Sequence, residues 1–237
     1  MRAGFAKIDV TPRVGVELCG YGPYLHRVSK AVRDRLWARG MALESGDGTA
    51  IIISCDLIGI PLPMARRIRR EVSRRTGVAP ELIMVHCTHP HSGPATDAYI
   101  GWGEPDRPYL EILPDRVADA GIRAAEKLQD CRLAHAEVPC EGIGYNRVYD
   151  ERPQKLEEVL SEDWRPDKPE LTDTTCHVMT ARGAGGKLIG FASYFGCHPV
   201  IGSSSSRYIH GDYCGVATNM LEREHPGAVG LFLQGAQ

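Results

Sequence analysis

A chain of 237 residues, 43% of them hydrophobic, is long enough to bury one substantial core, and a single domain over 1–237 is the expectation. A formal net charge of -2, from 28 basic and 30 acidic residues, creates no field to attract nucleic acid or an anionic membrane, which leaves a small, weakly charged or neutral molecule as the expected substrate. No run of about eighteen apolar residues occurs, so no membrane span is expected. The start, Met1-Arg2-Ala3-Gly4-Phe5, lacks the apolar stretch of a secretory signal, which makes the cytoplasm the expected location and reduced thiols the expected state of the eight cysteines. None of these cysteines forms a Cys-x-x-Cys pair, so a zinc knuckle of that type is unsupported.

After a strand-like start, Met41–Glu44 and Ala50–Cys55 read as a hairpin joined around Gly46-Asp47-Gly48, the second arm apolar enough to be buried on both faces. Beyond Pro61 and Pro63 a helix is expected to about Thr76, with Met64, Ala65, Ile68 and Val72 on one face and six arginines over the rest as a solvated surface. Gly77 ends it, and Leu82–Cys87 reads as another buried strand. A loop rich in glycine and proline, from His89 to Pro108, precedes a helix over about Tyr109–Leu128, kinked at Pro114, and then a strand near Leu133–Val138. Asp150–Asp173 is charged and reads as an exposed excursion. Strands follow at Cys176–Ala181 and Leu188–Phe195, then a helix at Tyr213–Glu224 and a last strand at Ala228–Leu233. Alternating strands and helices predict an α/β fold, a layered sandwich with a mixed central sheet flanked by helices. The chain stops just after a strand, so this domain is expected to be incomplete at its C-terminus.

Two segments that follow strands carry candidate chemistry. Thr88-His89-Pro90-His91-Ser92-Gly93-Pro94 holds two histidines in a loop that glycine and proline stiffen, which suits a metal or a reacting group and equally suits two imidazoles satisfied by backbone partners. Gly196-Cys197-His198-Pro199 places a third histidine about a hundred residues on, the distributed spacing of catalytic rather than structural zinc, although an ordinary loop histidine fits as well. If the strands ending at Cys87 and Phe195 are neighbours in one sheet, His89 and His198 leave the same edge. At Gly144-Tyr145-Asn146-Arg147 the arginine suits an oxyanion or carboxylate, and spacing alone also fits a surface arginine.

Taken in order, these segments resemble the N-terminal catalytic region of the neutral, non-lysosomal ceramidase family. The likeness runs through Ala3–Pro12, Gly20-Tyr21-Gly22, Leu36–Glu44, Ser54-Cys55-Asp56-Leu57, Thr88–Pro94, Asn146-Arg147, Cys197-His198-Pro199 and Leu231–Gln237. It implies zinc as cofactor, with His89 and His198 as ligands and the remaining ligands beyond Gln237. It also implies His91 in the active site and Arg147 at the reacting end of the substrate. The position aligned with a family serine holds His210, so water activated by the metal, not that serine, is the implied nucleophile. His91 and His210 are then the candidates for proton transfer, because an ordinary imidazole is partly protonated near pH 7. The implied activity is zinc-dependent hydrolysis of an amide bond in an N-acyl small molecule, a lipid in the family. Two other readings stay open: a metal- or ligand-binding relative that hydrolyses nothing, and a zinc esterase or small-molecule amidase that does not act on ceramide.

Overall fold

The computed structural model describes residues 1–46, 48–149, 155–159 and 161–236. Asp47 of the expected hairpin turn, residues 150–154 and 160 of the charged excursion, and Gln237 lie outside the described residues. The strands are β1 Arg2–Asp9, β2 Ala31–Val32, β3 Trp37–Ser45, β4 Gly48–Cys55, β5 Ile83–Cys87, β6 Gln129–Asp130, β7 Arg132–Pro139, β8 Thr175–Arg182, β9 Leu188–Phe195, β10 Tyr208–Ile209 and β11 Val229–Gln234. The helices are α1 Leu62–Thr76, α2 Arg107–Glu126, the single turn α3 Leu156–Val159, and α4 Asp212–Glu224.

The strands sort into two mixed sheets. The first runs β5-β4-β3-β1-β6, the second β11-β9-β8-β7, and β2 pairs with β10 in a small separate ladder. Each large sheet is antiparallel except for one parallel pair, β4 with β5 and β9 with β11. Period-two alternation explains why the sheets stack. On β1, Ala3 and Phe5 face the second sheet and meet Ala181, Ala192 and Leu231, while Ala6 faces the helices and joins Ile51, Ile53, Val117 and Ala120. The expected α/β sandwich is therefore a helix–sheet–sheet–helix stack, with α1 and α2 on the outer face of the first sheet and α4 over β11.

Helix α1 follows the expected rules. Gly77 closes it at φ 75, its N–H bonding to Ser73 O at 2.8 Å, and Ile68 and Val72 are buried. Burying those two side chains is worth about 2 kcal/mol each, whereas an exposed pair such as Arg67–Asp115 at 2.8 Å contributes under about 1 kcal/mol. The apolar stripe thus sets the helix's orientation and the arginines follow. The run 83–87 is not the fully buried strand its composition suggested: β5 is the sheet edge, and Met84 is 44% exposed.

Helix α2 lies so close to the first sheet that only glycine fits beneath it, since a methyl at Gly40 would overlap the carbonyl of Ala120. Gly40→Ala should destabilise the fold by about 3 kcal/mol, the upper end for overpacking, as read from urea unfolding; an unchanged midpoint would contradict this contact.

Between the sheets, His86 on β5 accepts the Gln234 N–H on Nε2 at 3.1 Å and lies 3.2 Å from Ser54 Oγ through Nδ1. Burial pushes its pKa below the ordinary 6.5. The unfolded chain takes up this proton near pH 6.5 and the folded one only lower, so stability is lost as pH falls through that interval. His86→Gln, which cannot titrate, should flatten the fall in urea midpoint below pH 6.5; an unaltered slope would assign the acid sensitivity elsewhere.

Candidate active site

Parallel pairing of β4 and β5 brings both strand ends to one edge, and the loops that follow are tied together. Thr88 N–H bonds to Cys55 O at 2.9 Å and His89 N–H to Leu57 O at 3.1 Å. His89 adopts φ 66, a left-handed conformation that a residue with a Cβ enters only when its surroundings hold it there. Its Nδ1 donates to Ile58 O at 2.7 Å. That bond fixes the tautomer and leaves the Nε2 lone pair free, an arrangement common in histidines that bind metals.

The ring of His91 is fixed in the opposite tautomer. Its Nδ1 accepts the Tyr21 N–H at 3.2 Å, so the ring hydrogen sits on Nε2, which lies 3.0 Å from Nε2 of His198. Gly20 makes the approach possible: its φ of 113 is disfavoured for residues with a Cβ, and a Cβ there would come within 2.5 Å of His91 Cγ. The backbone oxygen of His91 accepts from Arg27 Nη2 at 2.6 Å, and the Arg27 guanidinium stacks over Tyr21 with 4.8 Å to the ring centroid. His198 arrives on the loop after β9, which Tyr213 of α4 holds through a bond from its OH to Cys197 O at 2.5 Å.

The ligating atoms of His89, His91 and His198 all lie within 4.8 Å of one another. Burial, followed by the charges of His198, His89, Arg27 and Arg147, pushes His91 down to about 3. Burial, His89 and Arg147 also lower His198, against the opposing pull of Asp212. His91 is therefore a neutral N–H donor near pH 7 and not the partly protonated imidazole expected from its ordinary pKa. Tyr21 and Trp102 stand edge-on to His91 at ring-centroid distances of 5.0 and 6.4 Å, and Tyr99 to His89 at 6.4 Å. The rim beyond them carries Tyr24, Ile100 and Ile201, 71%, 95% and 75% exposed.

Of the residues singled out in the sequence, His89, His91 and His198 converge. The exposed Arg147 acts electrostatically on His91 and His198. His210 is not in the group of ligating atoms that lie within 4.8 Å of one another, although its backbone N–H bonds to Ser92 O at 3.2 Å; its Nδ1 accepts the Asp212 N–H at 3.1 Å, its Nε2 lies toward Gly202, and burial keeps it below its ordinary pKa. The histidines meet by a different route from the one the sequence suggested, since β5 and β9 belong to different sheets and the loops bridge from one sheet to the other. Sequence reasoning missed Arg27, which no motif marks. It included Asp56 in the family likeness without a role; the Asp56 carboxylate lies 3.4 Å from Thr88 Oγ1 and accepts from Arg39 Nη1 at 2.7 Å. A concavity of about 900 Å³ whose lining includes none of these histidines is formed by Arg33, Arg35, Arg116 and Arg123 with Asp9 and Asp119.

Three hydrogen-bonded imidazoles with ligating atoms within 4.8 Å of one another, on loops of a layered α/β fold, form a candidate metal site. Residues 1–231 match the family described as neutral/alkaline non-lysosomal ceramidase, N-terminal, and the chain belongs to that family. Among solved structures it is similar to neutral ceramidase from Pseudomonas aeruginosa, with TM-score 0.82 and 23% identity over 98% of this chain and 38% of that one. It is equally similar to a ceramidase complexed with C2, with TM-score 0.83 and 23% identity over 98% of this chain and 37% of that one. The chain thus spans under two-fifths of the length of these relatives. No curated protein matches it.

Proposed function

We propose that the protein is a zinc-dependent amidohydrolase that cleaves the N-acyl bond of a ceramide-like substrate. The observation that carries this reading is the Nδ1–Ile58 bond of His89, which aims a free Nε2 lone pair at the space shared with His198. The donor set fits zinc, imidazole being a ligand suited to it. His89 and His198 would hold it, with further ligands from outside the cluster, and when bound it supplies a Lewis acid that polarises a carbonyl and lowers the pKa of water.

The chain's own residues then supply the remaining parts. Once His198 Nε2 is engaged, the Nε2–H of His91 is free to donate to the oxygen of the substrate carbonyl as negative charge develops there. Its low pKa is useful here: a neutral donor at a fixed tautomer needs no proton uptake. Arg147 brings a full positive charge to the same region and would bind the oxyanion. Tyr21, Tyr99 and Trp102, with the exposed Ile100 and Ile201, form an apolar approach that suits an acyl chain.

Turnover of N-acyl substrates of graded chain length by the zinc-loaded full-length protein tests the reading. Rates rising with chain length are expected. A preference for short amides or esters would replace the lipid substrate, and turnover of none would leave a metal-binding relative.

A further inference from the structure

The second sheet carries a group of ligating side chains that takes no part in the histidine site. His135 and Glu137 are two residues apart on β7 and therefore share a face, and the β7–β8 register sets His177 directly opposite Glu137. His135 Nε2 and His177 Nδ1 are 3.3 Å apart, and His177 Nδ1 is 3.6 Å from Glu137 Oε1. All three ligating atoms fall within 4.8 Å of one another. Ligands held about 2.1 Å from a tetrahedral ion are about 3.4 Å from each other, so both measured separations match the edge of a coordination shell. The histidine rings lie nearly parallel, at 16° with centroids 5.5 Å apart, and Tyr194 stands edge-on to His177 at 5.6 Å. A fully paired antiparallel ladder supports the group, so little rearrangement is needed to close it on an ion.

We propose that His135, Glu137 and His177 form a second metal site, separate from the catalytic one, that takes a divalent transition ion with open positions left to solvent. Two imidazoles and one carboxylate favour zinc, cobalt, nickel or copper over calcium or magnesium, which prefer all-oxygen shells. His135 and Glu137 are exposed and His177 is part-exposed, so an ion enters directly from water.

The test is titration of the full-length protein, stripped of metal, with cobalt(II), followed by visible absorbance and calorimetry. The wild type should bind one equivalent more than His135→Ala or His177→Ala, and Glu137→Gln should weaken that equivalent at least about tenfold. The same difference should appear between His89→Ala and His89→Ala/His135→Ala, which separates this site from the catalytic reading. Matching melting temperatures of the metal-free variants would show that they fold. Equal stoichiometry and affinity in the wild type and all three single variants would mean an ordinary surface hydrogen-bonded group and would overturn the proposal.

Discussion

His89→Ala in the full-length protein should bind one zinc fewer per chain and lose amide hydrolysis by more than about 100-fold. The lower bound comes from outer-shell partners of metal ligands, whose loss alone costs 10–100-fold, so removal of the ligand itself exceeds it. The substitution deletes the Nε2 lone pair that the Nδ1–Ile58 O bond orients, and alanine offers no ligating atom at this position. His91→Ala makes the informative contrast. Because Nδ1 of His91 accepts the Tyr21 N–H, its ring serves as a donor, and its removal should lower kcat by about 10²–10³ while zinc stays bound. Metal analysis of dialysed protein beside initial rates separates the two residues. Unchanged zinc content in His89→Ala would sink the assignment, and loss of zinc from His91→Ala would make that ring a ligand.

Asp56→Ala should destabilise the fold by about 3–5 kcal/mol, the range for stripping one partner from a buried ion pair. The Asp56 and Arg39 side chains are each 2% exposed and 2.7 Å apart, so solvent screens neither charge. Asp56 Oδ2 also accepts the Trp37 N–H at 3.0 Å, and this part-buried bond is lost with the carboxylate. Arg39 would retain Asn219 Oδ1 at 2.7 Å and the more distant Glu222 at 3.5 Å, both on α4, which offset only part of its charge. Replacing both members, as Asp56→Ala/Arg39→Met, should recover most of the loss, because the penalty lies in the uncompensated charge rather than in the pair. Urea midpoints of the two variants decide it, and a single-variant loss below about 1 kcal/mol would show that water reaches Arg39. The effect should also reach catalysis, since Asp56 contacts Thr88, the residue before His89.

Much of this protein can be read in one dimension. Hydrophobic period and turn residues placed the hairpin, the long helices and the strands near their observed bounds, because those signals act over a few neighbouring residues. The motifs Thr88–Pro94 and Cys197–Pro199 marked the histidines for the same local reason, and likeness to a family gave them roles. What the sequence could not determine depends on contacts between residues far apart along the chain. An apolar strand reads alike at a sheet edge and at its centre, so composition gives β5 as buried while its place at the edge of the sheet, beside β4, leaves it partly exposed. The division of the strands into two sheets, and the meeting of His91 with His198 across them, depend on which faces stack. Protonation was the furthest out of reach. His91 is neutral, with its hydrogen on Nε2, only because Tyr21 and Arg27 from a distant loop hold it in a buried corner beside two other histidines. The sequence marked histidines that could make a site, and tertiary packing decided which of them meet and the state in which they stand, since desolvation and neighbouring charge exist only after folding.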